Sequence, residues 1–270
     1  MAITTGDGYI AGAKQIIPYV KTASTTTISN TRFSVFDKAG NPGAGTLAFT
    51  TSLAGVVPTD ATAGFPTINA FGGSAVGYLS RVQYASSVVQ RLELWDVLWG
   101  YNVPTTPAAP TTYTMSGAAS FLGRTPDGIG GGCRIFLCIS SAVAANAVTI
   151  TVGYTNSAGT TGRSTPASAA LTSFTVNRFI EMPLQAGDSG VRAIESVVVG
   201  GTAAATGAVN IMVMRPLWTQ RVPNANGGDV HGIDKTGMPI VYADSALMLT
   251  CIPDSTSSGV PDVLLEIVNG

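Results

Sequence analysis

Gly187-Asp188-Ser189-Gly190 matches the stretch around the nucleophile of trypsin-like serine proteases, in which a histidine and an aspartate precede the serine. The only histidine here, His231, follows Ser189, so the general base is out of its place, and Val191 is not that family's continuation. A tight turn between strands accounts for the same four residues. Asp229-Val230-His231-Gly232-Ile233-Asp234 sets one imidazole near two carboxylates. Zinc takes three or four protein ligands, so the expectation is a surface histidine in a loop. Asn224-Ala225-Asn226-Gly227-Gly228-Asp229 offers oxygen ligands without the calcium-loop spacing. Gly128 to Gly132 leads into a strand, whereas a dinucleotide-binding glycine loop follows a strand and opens a helix. Trp95, Trp99 and Tyr101 suit a sugar-stacking platform, and equally suit core or interface anchors. No catalytic, cofactor-binding or metal-ligating set emerges, and no enzyme is expected.

Cys133, Cys138 and Cys251 are an odd number, which makes no disulfide framework, and the first two lack metal-knuckle spacing. Five residues apart on a strand, Cys133 and Cys138 face opposite ways. All three read as small buried hydrophobes.

The elements that would position these groups are strands. Val148, Ile150, Val152 and Tyr154 alternate with Thr149, Thr151, Gly153 and Thr155, and Cys133 to Ser140 alternates likewise. Small residues join the two runs, so they are expected to pair as the centre of an antiparallel β-sandwich. Further strands are expected near Thr111–Met115, Phe174–Leu184 (with a bulge), Val191–Val199, Val209–Val213 (ended by Pro216), Ala246–Ile252 and Val263–Val268. Arg221 to Pro239 reads as a long loop. Ser80 to Tyr101 is ambiguous, since Val88, Leu92, Trp95 and Trp99 sit at helical spacings while Val82, Tyr84, Val88, Leu92 and Leu94 also fit period two. The expected fold class is all-β, an antiparallel jelly-roll-like sandwich over 76–270, preceded by an arm and hairpin over 1–75. In that segment Lys14–Lys21 is a candidate strand that Pro18 confines to an edge or to a contact with a partner, and Asp37–Gly43 is a hairpin turn. Whether the segment docks elsewhere or adds strands to the same sandwich stays open.

Hydrophobic residues make up 45% of the 270 and charged residues 11%, against roughly 25% charged in ordinary domains. A surface so short of charge is expected to face other protein. The formal net charge of −1 and the absence of a basic stripe argue against nucleic acid as a partner. No apolar run approaches the roughly 20 residues of a membrane span, and MAITTGDGYI has no secretory pattern, so a cytoplasmic chain is expected.

Three stretches carry a resemblance. Arg91 to Trp99 (RLELWDVLW), Val148 to Arg163 (VTITVGYTNSAGTTGR) and Leu184 to Arg192 (LQAGDSGVR) resemble segments of virion structural proteins of tailed bacteriophages, with Val97 where an arginine is more usual. The likeness spans about Arg91 to Val199. It implies strand for Ser80–Tyr101 and a β-sandwich particle protein that decorates or cements the head, or sits at a vertex or tail junction. It further implies a homo-oligomer, a trimer being favoured, with the major capsid protein or another virion protein as partner and no cofactor. The candidate interface anchors on this reading are Tyr19, Phe71, Trp95, Trp99 and Tyr101. A receptor- or glycan-binding tail or fibre module is the alternative.

Overall fold

The structure, a computed structural model, describes residues 5–72, 76–106, 110–117, 120–204 and 206–270. In chain order its strands are β1 (Lys14–Lys21), β2 (Phe33–Ser34), β3 (Gly40–Asn41), β4 (Val76–Ser86), β5 (Gln90–Pro104), β6 (Thr111–Thr114), β7 (Arg134–Ser141) and β8 (Val148–Asn156). There follow β9 (Arg163–Ser164), β10 (Phe179–Met182), β11 (Val191–Gly201), β12 (Ala208–Val222), β13 (Gly227–His231), β14 (Ile240–Tyr242), β15 (Leu247–Pro253) and β16 (Pro261–Asn269). Two short helices, α1 (Gly6–Ala11) and α2 (Ile233–Thr236), complete the set. The fold is all-β and antiparallel, as the alternation predicts.

The chain forms two compact units, residues 1–45, 59–96 and 217–270, and residues 46–58 and 97–216. In the first unit, β13-β4-β16-β1-β3, with β14 also on β4, make one sheet. Its inward residues Tyr19, Leu79, Val82, Leu265 and Ile267 pack on Leu92, Leu94, Leu247, Leu249 and Trp218 of the second layer. In the second unit, β6-β11-β8-β9 form a sheet whose Val148, Ile150, Val152, Tyr154 and Val197 meet Ile135, Leu137, Ile139, Val209 and Ile211. Each unit is thus a β-sandwich, and partners distant in sequence, such as β4 with β16 and β7 with β12, give it jelly-roll-like connections.

Several expectations are corrected. The boundary near residue 75 is not where contacts divide the chain, because β1 pairs along its length with β16 and is part of the first sandwich. Pro18 fits there because β3 reaches only Val20 and Lys21, leaving β1 with one neighbour at Pro18 among the described residues. Residues 1–4 of the expected arm lie outside the described residues; residues 6–11 form α1, whose Tyr9 hydroxyl donates to Glu266 Oε1 at 2.8 Å. The residues flanking Asp37–Gly43 form no hairpin, since β2 pairs with β15 and β3 with β1.

Most consequentially, β7 and β8 do not pair. β8 lies between β11 and β9, β7 between β10 and β12, and the two face each other across one core. Ser80–Tyr101 is strand, running from β4 into β5, which belong to different sheets. The helical spacing arises because β5 is buried on both faces, so large apolar residues need not alternate. β11 holds two register shifts, which put Ile194 on the buried side with Val191 and Val197. β12 continues through Pro216, beyond the last β7 partner at Met214. Strand β10 begins only at Phe179, so the bulge expected at Phe174–Leu184 is a strand start. β13 and α2 occupy part of the expected Arg221–Pro239 loop. All three cysteines are buried.

Candidate functional site

The second and third resembling stretches meet in the second unit. β8 and β11 pair antiparallel, with Val191 opposite Asn156, which brings the turn after β8 beside the turn before β11. Asp188 is the centre of this clasp. Its Oδ2 accepts from the Tyr154 hydroxyl at 2.7 Å and from Arg163 Nε at 2.9 Å. Its Oδ1 accepts from Asn156 Nδ2 at 2.7 Å and Arg163 Nη2 at 3.1 Å. The Arg163 bonds foremost, then those from Tyr154, hold its carboxyl down to about 2. Burial first, and then the bond to Asp188, raise the Tyr154 phenol.

Backbone geometry completes the clasp. Asn156 Oδ1 accepts from Thr160 N at 2.8 Å, and Glu195 takes the Thr155 hydroxyl at 2.6 Å and Gly162 N at 3.1 Å. Gly159 and Gly162 both have positive φ, which the turn requires. Gly190 lies so close to Gly130 O and Gly131 that a Cβ would meet backbone. The adjoining loop is tied by Asp127, which accepts from Ile129 N, Gly130 N and Gly131 N at 2.9–3.0 Å. Burial opposes the ionised Asp127, but these backbone bonds outweigh it and lower its pKa.

This arrangement is built for rigidity. Every oxygen of Asp188 is engaged, and the Ser189 hydroxyl lies 3.1 Å from the Ser157 hydroxyl, which is no general base at neutral pH. Acid should loosen the clasp. The folded pKa of Asp188 is below its unfolded value, so its contribution is complete above about pH 4 and fades as pH falls toward 2. Wild type is expected to lose protection from amide exchange over residues 156–163 across that window. Asp188→Asn is expected to exchange fast throughout and show little further loss, which mass-detected hydrogen exchange reads directly.

Beside the clasp, Thr155 and Arg192 line a cleft of about 230 Å³ with Trp99, Phe121, Leu122 and Ile194. Its walls are mainly apolar, with Arg192 as the cation. Trp99 contributes little exposed ring, because it is 1% exposed, its indole N–H donates to Ala54 O at 3.2 Å and it stacks on Tyr101.

The five anchor candidates are therefore corrected as a group: Tyr19, Phe71, Trp95, Trp99 and Tyr101 are all buried inside the chain. Each has partners of its own. Trp95 Nε1 donates to Thr250 Oγ1 at 2.9 Å, and Phe71 with Ile267 fills the space a side chain at Gly77 would need. No sugar-stacking platform is left at Trp95, Trp99 and Tyr101.

His231 is buried on β13 and is no surface histidine. Trp218 Nε1 donates to its Nδ1 at 3.2 Å, and its Nε2 is 3.4 Å from the Tyr84 hydroxyl. Burial foremost, then the Lys235 charge, lower its pKa. Asp229 holds Val230 N, and among the described residues no three potential metal ligands gather. Sequence reasoning missed Lys21, whose buried ammonium binds three backbone carbonyls, and Arg91 with Arg221, which share a cleft.

No protein-family model matches the chain, and no curated protein matches it. Among solved structures it is similar to the infectious bursal disease virus VP2 subviral particle, at 10% identity and a TM-score of 0.24, over 96% of this chain and 80% of that one. The structure of the infectious bursal disease virus Gt strain is similar at 10% identity and a TM-score of 0.23, over 94% and 81%. Scores this low mean that the backbones diverge over most of their length, and the likeness carries no weight on function. No described helix is long and apolar enough to cross a membrane.

Proposed function

We propose that the chain is a virion structural protein of the tailed-bacteriophage kind, which decorates or cements a capsid shell as a homo-oligomer, a trimer being favoured, without catalysis. Its partner is the major capsid protein or another virion protein, and its place is the particle.

One observation carries this reading: the outward face of the first sandwich holds a partly exposed, largely apolar row, with the Arg81–Glu266 pair on one side of it and Asp262 on the other. Register sets Pro18, Leu264, Gln83 and Val230 in one row across β1, β16, β4 and β13, with Ile16 and Val20 flanking Pro18 on β1. Ile16 and Val230 are each about half exposed, at 50% and 45%. Such a face is suited to burial against protein. A row this small gives weak single contacts, and the many copies on a lattice supply the rest through multivalency. The resemblance of the clasp segments supports the same class. The glycan-binding alternative needs aromatic rings at the surface, and no observation favours it.

The test mixes the purified chain with empty phage shells and pelts them by sedimentation, with light scattering of the free chain. Stoichiometric co-sedimentation of an oligomer is expected, and Ile16→Lys with Val230→Lys should abolish it. A monomer that stays in the supernatant overturns the reading.

A further inference from the structure

In a chain with so few charges, most cations have partners within the chain. Arg32 pairs with Glu93, Arg81 with Glu266, Arg134 with Glu181 and Arg163 with Asp188. Arg124 donates to Val97 O and Arg178 covers the Phe174 ring. Among the described residues, Arg91 and Arg221 have neither an ion pair nor a side-chain hydrogen bond.

These two line the same cleft. It has about 210 Å³ and is bordered by Asn30, Val89, Ile252 and Asp254. Arg91 stands on β5 opposite Ile252 of β15, and Arg221 stands on β12, the other neighbour of β5. Strand alternation buries Gln90 and turns Arg91 outward. The rim is fixed by backbone bonds, Asn30 N to Pro253 O at 2.7 Å and Asp254 N to Val89 O at 3.2 Å. Asp254 makes no ion pair of 4.0 Å or less with either arginine.

Two guanidinium groups and one carboxylate leave the cleft with a net positive charge of one. Like charges facing one cleft repel, and an anion between them relieves this. The Asp254 charge at the rim penalises a doubly charged phosphate more than a singly charged carboxylate. The planar fork of arginine matches a carboxylate bidentately, and Val89 with Ile252 offers apolar surface to a short hydrocarbon stem. We propose that the Arg91–Arg221 cleft is a binding site for a carboxylate on a short aliphatic stem, borne either by a small free acid or by an acidic side chain of a partner protein. This holds whether or not the chain belongs to a particle.

The test follows the Nε–H resonances of the folded, full chain by NMR. The probes are butyrate, a capped peptide with one glutamate, and inorganic phosphate. Butyrate is expected to shift Arg91 and Arg221 saturably in roughly the millimolar range. Arg91→Gln and Arg221→Gln should each weaken it about tenfold; both side chains are exposed and hold no ion pair or side-chain hydrogen bond that the change would break. Asp254→Asn should tighten butyrate and improve phosphate more. A peptide that binds at least about tenfold tighter than butyrate identifies a partner's side chain as the source, and equal affinity identifies a small acid. The proposal is overturned by shifts that do not saturate, by affinity unchanged in both arginine variants, or by phosphate binding wild type more tightly than butyrate.

Discussion

Trp99→Ala is expected to remove about 3–5 kcal/mol from the transition that unfolds residues 97–216. The ring is 1% exposed and belongs to the core that β8, β11, β7 and β12 enclose. Its six-membered ring lies against Gly55, whose φ of +65° and lack of a Cβ let the loop cross the indole face. Truncation leaves a cavity under that loop and takes the donor from Ala54 O. The loss therefore has a packing part and a smaller hydrogen-bond part, since a surface carbonyl recovers water. Urea unfolding followed by hydrogen exchange within 97–216 measures it. An interface anchor would behave in the opposite way, leaving the isolated chain as stable as before while its oligomer dissociates. Unchanged stability would return Trp99 to that role.

The same residue shows what was legible and what was not. Alternation revealed β8 because one of its faces is covered and the other carries threonines. In β5 both faces are covered, so Leu92, Trp95 and Trp99 lose the period that would betray a strand. Pairing was less legible still. β7 and β8 are adjacent in sequence and both alternate, yet β8 finds its longest ladder with β11. Nothing local to either strand distinguishes a neighbour in the same sheet from one across the core. The clasp was spelled out as two segments, but that Asp188 joins them depends on Tyr154 and Arg163, 34 and 25 residues away. Arg91 and Arg221 each look like solvated charges until β5 and β12 are placed side by side. Lys21 is a different case. Ile17, Tyr19 and Lys21 share one face of β1 by period two, so the burial of a lysine was available to the eye in the alternation itself.

Lys21→Met is expected to destabilise the first unit by about 1–3 kcal/mol, and by more as the pH rises. The ammonium is 1% exposed and donates to Lys38 O at 3.0 Å, Pro42 O at 2.8 Å and Gly43 O at 3.3 Å. It thereby ties the 38–43 turn to β1, beyond the two residues that pair with β3. Methionine keeps most of the stem's volume, so packing changes little and the missing donors dominate. The bond to Pro42 O is fully buried, and that carbonyl has no water to replace the lost partner. The pH dependence separates this account from a packing effect. Burial pushes the folded pKa down to about 8, against the pull of Asp37, while the unfolded chain keeps the ordinary value of 10.5. Between these the unfolded state binds more protons, so Lys21 makes wild type more stable as pH rises through that window. A neutral amine still donates to the carbonyls, whereas methionine never does. Denaturation of both proteins at pH 7 and 9.5 should therefore show the deficit of the variant widening, and parallel curves would mean that the ammonium is solvated in the folded chain.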